Sequence, residues 1–249
     1  LPVVVFLVIS LECFLTWQAA APWGSESRLM QTALVEHPDS LRARQYVANR
    51  YIIHGMHEEA LEVQKALAEK YPQHASTRLS ILNLSCLLGL LSAEDLQTAT
   101  KFVEQADFDS QIVGFLGPLI ANVTADHCDT LDPEGLHSLF DAVLLNPHMG
   151  QNSSLGGAVY YHKGILYEIS GRLDDALASL DLSYEARPEI DIRLQQVVWL
   201  LAAGRLDAAQ RYLDLARQHE YGFFSIKDLR ASDLNILQQQ IDRTRHESD

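Results

Sequence analysis

The chain has 249 residues, with 33 acidic and 19 basic side chains, and its formal net charge is −14. This acidic balance argues against a broad nucleic-acid-binding surface, which needs clustered Lys and Arg to neutralise phosphates, so no nucleic acid is expected as a partner. Apolar residues make up 47% of the sequence, which is enough for a buried core. The three cysteines, Cys13, Cys86 and Cys128, are too few and too scattered for a disulfide framework.

The first 20 residues are almost entirely apolar. Leu1–Trp17 contains a single charged side chain, that of Glu12. A helix of these 17 residues spans roughly 26 Å, a little short of the ~30 Å hydrocarbon layer of a membrane. Because the chain begins with Leu rather than Met, we expect residues 1–20 to form a truncated transmembrane helix that continues upstream. Trp17 and Trp23 would then lie at the membrane–water boundary.

Two other interpretations of this segment stay open. Ala19–Ala21 offers small residues for cleavage after an apolar stretch, as in a secretory signal. The core helix of a globular protein would have a similar composition. The transmembrane interpretation tethers the protein to a membrane, whereas the signal interpretation makes it a secreted protein.

Glycine, alanine and proline recur along the rest of the chain with a period near 34 residues. Pro38 and Pro72 are 34 residues apart, and so are Gly55 and Gly89. In three places an alanine follows a glycine by five residues: Gly55 and Ala60, Gly171 and Ala176, and Gly204 and Ala209. A fixed period of this length indicates stacked supersecondary units.

Each unit is expected to be a helix–turn–helix. Glycine at the end of the first helix can adopt the left-handed conformation that a C-terminal cap often requires. Alanine suits a position where the second helix crosses the first closely, and proline follows the second helix because it cannot continue one. Apolar residues recur at helical spacing, and no stretch alternates like a strand, so we predict an all-α fold.

The motifs resemble the tetratricopeptide repeat, a helix pair of about 34 residues. Residues 41–72 and 190–223 keep part of its pattern, and residues 25–38 resemble the second half of a further unit. Residues 157–188 match six of its signature positions: Tyr160, Gly164, Tyr167, Gly171, Ala176 and Pro188. The resemblance implies a solenoid of helix pairs that coils into a right-handed superhelix with a groove for a protein or peptide partner.

The middle of the chain keeps the pattern least well. Ser92 and Asp95 are predicted to form a capping box at the start of a helix, and Asp132 is predicted to cap a helix that begins at Pro133. The polar tract Met149–Gly157 is predicted to be a loop or hinge. The predicted division is a transmembrane helix at 1–20, repeats at 25–109, a degenerate helical repeat and loop at 110–156, repeats at 157–223 and a capping helix at 224–249.

The acidic excess is concentrated where the repeat pattern fades. Residues 75–156 hold ten acidic and two basic side chains, so this part carries a charge of −8. We therefore expect a specialised partner surface in this part of the chain.

The order of features also resembles the C-terminal part of bacterial polytopic membrane proteins of the GT-C glycosyltransferase type, which are related to O-mannosyltransferase-like proteins and carry tetratricopeptide tails. This resemblance rests on the apolar segment, Thr16–Gln18, Trp23 and His37–Ser40, where the array opens. It implies a bacterial inner membrane location with the repeats in the periplasm. The catalytic residues of such proteins lie in their membrane part, so none is carried over and this chain is not expected to be an enzyme.

No pattern in the sequence identifies a catalytic, metal or cofactor site. His54 and His57 are spaced like a metal-binding pair but lack a third ligand nearby, so we interpret both as C-terminal residues of a first helix. Asp126–Asp129 is interpreted as a polar turn, and Cys86 as a buried core residue. No phosphate-binding glycine motif occurs, and no cofactor is expected. Three asparagines head N-x-[ST] triplets, which matter only in a glycosylating compartment: Asn83, Asn122 and Asn152.

The repeat resemblance assigns groove positions to the first helices of two units: Arg42, Gln45, Asn49, Tyr161, Ile165 and Glu168. A plain solvated helix face is the alternative. The chain lacks the Lys/Asn clamp that holds a C-terminal carboxylate in some relatives, so a chaperone-tail receptor is not expected.

We expect a membrane-tethered, non-catalytic interaction module that holds a protein partner beside a membrane enzyme and so raises its effective concentration. One alternative is a secreted periplasmic scaffold for envelope or pilus assembly. Another is an array that completes a glycosyltransferase active site, although no residue here is identified for that role.

Overall fold

The computed structural model describes residues 2–107, 109–125, 127–148, 153–218 and 227–248, and these residues contain helices and no strand. Two short 3-10 helices, Ala21–Gly24 and Ser110–Ile112, precede α2 and α7. The α-helices are α1 (Pro2–Ala20), α2 (Glu26–Glu36), α3 (Leu41–Ile53), α4 (His57–Lys70), α5 (Ala75–Leu87), α6 (Ala93–Gln105), α7 (Val113–Thr124), α8 (Pro133–Leu145), α9 (Ser153–Ile169), α10 (Leu173–Ala186), α11 (Ile190–Ala202), α12 (Leu206–Arg217) and α13 (Lys227–Ser248).

The helices pack as pairs that stack on one another. Within pairs, α3 contacts α4, α9 contacts α10 and α11 contacts α12. Between pairs, α5 contacts α7, α7 contacts α9 and α6 contacts α8. Each of these contacts joins a helix to the corresponding helix of the following pair, as expected when each unit buries its apolar face against its neighbours. The fold is therefore an all-α, tetratricopeptide-type helix-pair solenoid, which confirms the prediction.

Four turns within the pairs share one glycine cap. The Gly55 N–H donates to the Ile52 carbonyl at 3.0 Å, and the Met56 N–H donates to the Tyr51 carbonyl at 2.9 Å. This pair of hydrogen bonds is a Schellman motif, which requires a left-handed residue after the helix. The glycines of the four turns all have positive φ: Gly55 (73°), Gly89 (66°), Gly171 (73°) and Gly204 (69°). The predicted role of glycine is thus confirmed.

Small residues allow α9 and α10 to approach closely along their length. Ala176 is fully buried. A Cβ atom added to Gly164 would lie 3.0 Å from Leu180 Cδ2 and 3.2 Å from the Ala176 carbonyl oxygen. Near the other end of the crossing, the Ser183 hydroxyl donates to the Gly157 carbonyl at 2.8 Å. A larger side chain at these positions would force the two helices apart.

The caps predicted for the middle of the chain are present. Ser92 and Asp95 form the capping box of α6. The Asp132 carboxylate accepts from the Gly135 N–H at 2.7 Å and caps α8, with Pro133 at its first position. These caps satisfy backbone donors that a helix start leaves unpaired.

The predicted loop at Met149–Gly157 is wrong for its last five residues, because α9 begins at Ser153. Residues 149–152 lie outside the described part of the chain. Glycine is a poor helix former in isolation. Here Gly157 is buried, and an added Cβ atom would lie only 3.2 Å from the Cβ atoms of Ala186 and Arg187, so close packing favours glycine despite its low helix propensity.

Two of the three N-x-[ST] asparagines are buried and cannot accept a glycan in the folded protein. Asn83 and Asn122 are 9% and 6% exposed, and the Asn122 side-chain amide donates to the Asn83 side-chain oxygen at 2.7 Å. This bond joins α5 to α7 across the stack. Asn152 lies outside the described residues.

One buried and one half-buried histidine have lowered pKa values. The His137 ring lies 4.1 Å from the Tyr167 ring, centroid to centroid, and neither ring nitrogen of His137 has a partner within the described residues. Burial lowers the pKa of His137. Burial, and then the positive charge of Arg187, lower the pKa of His162. Both side chains are therefore held in the neutral form more strongly than in the unfolded chain.

We predict that Ala176→Glu destabilises the array by about 3–5 kcal/mol, because it forces bulk and an unpaired charge into the α9–α10 crossing. Urea unfolding followed by circular dichroism measures the change. Ala178→Glu is the matched control, because Ala178 is exposed on the same helix. An unchanged midpoint for Ala176→Glu would show that the repeat register is misassigned.

We predict a loss of stability on acidification that depends on the buried histidines. The unfolded chain takes up protons as the pH falls through about 6.5, the ordinary histidine value, whereas the folded state resists protonation. The free energy of unfolding should therefore fall below that pH and level off under the lowered pKa.

The measurement compares wild type with His137→Phe, which keeps the ring stack, from about pH 8 to about pH 5. The variant should show a shallower fall in stability. His37→Gln, at an exposed position, should follow the wild-type curve. Identical curves for wild type and His137→Phe would contradict the assignment.

Candidate peptide-binding groove

A cavity of approximately 520 Å³ opens between α3, α4 and α7. Its wall combines neutral polar and apolar side chains with one cation and no acid. The lining residues are Met30, Arg42, Gln45, Tyr46, Asn49, Gln64, Gln111, Gly114 and Phe115. In a chain with a net charge of −14, this is a local exception to the acidic surface.

Helix α3 supplies the three groove residues that the repeat resemblance assigns to this unit. Arg42, Gln45 and Asn49 are spaced so that they share one face of a helix, and all three line the cavity. Ala43 and Ala48 on the same helix are fully buried and hold α3 against its neighbours. The structure therefore brings these three predicted residues together.

Arg42 is the available cation of this site. Its side chain is exposed and has no ionic partner within the described residues. The other two arginines of α3 are engaged elsewhere: Arg44 donates to the Pro38 carbonyl at 2.7 Å, and Arg50 lies 3.0 Å from a ring nitrogen of His54. A guanidinium without an acidic neighbour suits a carboxylate or another strong acceptor on a ligand.

Gln64 brings an unpaired acceptor to the same cavity. Its residue is 1% exposed, and its side-chain oxygen Oε1 has no hydrogen-bond donor in the described part of the chain. A buried acceptor without a donor costs about 1–3 kcal/mol. Because Gln64 lines the cavity, an N–H donor entering the cavity can remove this cost. Backbone amides of an extended peptide are donors of this kind.

The second predicted trio does not share that cavity. Tyr161 lines a separate cavity of approximately 490 Å³ with residues of α11 and α13. Ile165 is half-buried and packs against two apolar clusters of the core. Glu168 is half-buried near the end of α9. A role in peptide binding remains a prediction for all six residues.

Sequence reasoning missed the residues that α4 and α7 contribute. Gln64 lies among the buried apolar residues of α4, between Leu61 and Leu67. A polar residue in an otherwise apolar stripe is a signal that could have identified it. Gln111 and Phe115 belong to the degenerate unit, and their approach to α3 depends on how the units stack, which no local pattern encodes.

The interpretation of His57 is wrong. Helix α3 ends at Ile53 with His54 as its C-terminal cap, and His57 begins α4 beyond the glycine turn. The two histidines therefore belong to different helices. No group of three metal-ligating side chains occurs among the described residues. Asp126 lies outside them. Cys86 is fully buried in the core, as predicted.

Comparison with known proteins gives likenesses of fold. No family model and no curated sequence matches the chain. A solved structure of MamA is 18% identical and has a TM-score of 0.42, covering 69% of this chain and 93% of MamA. A thermophilic TPR protein of Thermus thermophilus is 22% identical and has a TM-score of 0.41, covering 94% of this chain and 95% of that protein. PilF of Pseudomonas aeruginosa is 13% identical and has a TM-score of 0.45, covering 82% of this chain and 87% of PilF.

Proposed function

We propose that this protein is a membrane-tethered, non-catalytic interaction module whose cavity between α3, α4 and α7 holds an extended segment of a partner protein. The observation that carries the proposal is that a cation, Arg42, and a buried acceptor, Gln64, share one cavity wall and that neither has a partner among the described residues. An extended peptide with an acidic side chain can satisfy both groups, because its carboxylate can bind the cation and its backbone N–H groups can donate to the acceptor.

The proposed ligand is an extended peptide that carries Asp or Glu. Its carboxylate would bind Arg42, and a backbone N–H would donate to Gln64. Gln45 and Asn49 can each donate and accept hydrogen bonds with the peptide backbone. Met30 and Phe115 provide apolar contact at the cavity wall. The negative charge of the rest of the chain repels an acidic peptide from other parts of the surface. The position of Arg42 therefore directs such a peptide to this cavity.

Helix α1 supports the membrane tether. The window Val3–Ala20 has a mean hydropathy of 1.9, and none of it is buried. This absence of burial argues against a core helix within the described chain. Its 19 residues extend about 28 Å, close to the thickness of the hydrocarbon layer. Trp17 and Trp23 are 67% and 74% exposed, as side chains that lie at a membrane interface would be in the isolated protein.

The mechanism we propose is local concentration. A module fixed to a membrane holds its partner near other proteins of that membrane without performing chemistry itself. The resemblance of residues 1–40 to GT-C glycosyltransferase-type proteins favours a membrane enzyme of that type as the neighbour, with the repeats on the periplasmic side of a bacterial inner membrane. The module would then supply an acceptor protein to that enzyme.

We predict that the full chain stays in the membrane fraction after alkaline carbonate washing, because α1 is integral. A chain that begins at Ser25 should be released by the same wash. Release of the full chain would remove the transmembrane proposal. N-terminal sequencing of released material would then locate a cleavage after Ala19–Ala21, which would support a secreted scaffold for envelope or pilus assembly.

We predict that the cavity selects acidic linear peptides. A phage-displayed library of random linear peptides is panned against the full chain in detergent micelles. Selected peptides should contain Asp or Glu, and Arg42→Glu should weaken their binding at least about tenfold through loss of the charge pair.

Arg50→Glu provides the control, because Arg50 is exposed on the same helix outside the cavity and the substitution changes net charge equally. Its affinity for the selected peptides should stay close to that of wild type. Equal losses for the two variants would show a general charge effect and would count against the cavity as the binding site.

A further inference from the structure

Two cysteines that are distant in sequence meet in the core of the middle segment. Cys86 lies near the end of α5, and Cys128 lies 42 positions later in the connector between α7 and α8. Cys86 is 0% and Cys128 is 8% exposed, and both belong to one apolar cluster. Burial, and then the neighbouring Cys128 thiol, raise the pKa of Cys86.

Hydrogen bonds hold the connector against the end of α5. The Thr130 hydroxyl donates to the Leu91 carbonyl at 2.9 Å and lies 3.6 Å from Cys128 Sγ. The Leu131 N–H donates to the Cys128 carbonyl at 3.1 Å. Because Leu91 lies just past the Gly89 turn that follows α5, these bonds hold Cys128 beside the end of α5, where Cys86 lies. The approach of the two cysteines is therefore built into the packing of this segment.

We propose that Cys86 and Cys128 form a reversible disulfide that links α5 to the α7–α8 connector and makes the stability of the array depend on redox conditions. The third cysteine, Cys13, is exposed on α1 and is no part of this pair. The proposal concerns the core of the array and is independent of what the cavity binds.

The oxidant is a small-molecule disulfide, such as oxidised glutathione, that reacts by thiol–disulfide exchange. Cys128 loses its proton, and its sulfur attacks one sulfur of the oxidant, forming a mixed disulfide and releasing one thiolate. Cys86 then loses its proton and attacks the Cys128 sulfur, forming the protein disulfide and releasing the second thiolate. The two protons pass to the released thiolates, so two protein thiols are oxidised and one disulfide is reduced.

The order of attack follows from position. Cys128 lies in a connector between helices, where a short segment can open to an oxidant without unfolding the pair. Cys86 is enclosed within α5, and its raised pKa leaves little of the reactive thiolate. Cys86 is therefore suited to the second, intramolecular step, in which the mixed disulfide is already adjacent.

The test uses the full chain in detergent micelles, reduced, freed of reductant and then incubated with oxidised glutathione under native conditions. Trypsin separates the two cysteines by cutting after Lys101. Mass spectrometry without reduction should find the peptides Leu79–Lys101 and Phe102–Lys163 joined through Cys86 and Cys128. Thiols titrated in denaturant should fall from three to one, and dithiothreitol should restore them.

A stability measurement checks the consequence. Oxidation of the wild type should raise the folding equilibrium constant on the order of 10²-fold, because the bond closes a long loop. Cys128→Ser should show no effect of the oxidant on stability and should not form the linked peptides, whereas Cys13→Ser should behave as wild type. Three free thiols after oxidation, or mixed disulfides and Cys13-linked dimers without the internal bond, would overturn the proposal. The linked tryptic peptides of the wild type decide this even if a variant fails to fold.

Discussion

Four helix pairs turn at a glycine that has positive φ, and in the α9–α10 pair the second helix crosses the first where small side chains let the backbones approach. Gly171 and Ala176 show both halves of this constraint in one pair: the glycine completes the Schellman motif, and the alanine is fully buried at the crossing. The angle and spacing of a pair determine where its outer faces lie. The stacking of all further pairs, and the cavities between them, follow from that local geometry.

Side-chain polar bonds join the helices in the middle of the array. Asp109 accepts from the Ser76 N–H at 2.8 Å and from the Gln111 N–H at 3.0 Å, so one carboxylate caps α5 and the turn before α7. Asn146 is fully buried, and its amide donates to the carbonyls of Val103 and Ala106 at the end of α6. Each such bond contributes about 1 kcal/mol, and more is lost when one partner is left unpaired. These bonds join helices where the repeat motifs are missing.

The same packing explains the character of the cavity. Helix α7 contributes Gly114 and Phe115 to the cavity wall opposite α3, and the space between the two helices is open. Among the described residues, neither Arg42 nor the side-chain oxygen of Gln64 has a partner at this cavity.

Local patterns in the sequence determined the helices, the glycine turns at Gly55 and Gly171, the α6 capping box and the face of α3 that carries Arg42. These features depend on residues that are close in the chain, so spacing and capping chemistry are sufficient to predict them. Only the tertiary structure decided that Gln64 lines the cavity and that Cys86 and Cys128 lie in one cluster. Those contacts join units that are tens of residues apart in the chain. They are stabilised by packing between the surfaces of different units, so no short segment of sequence contains the information that places them.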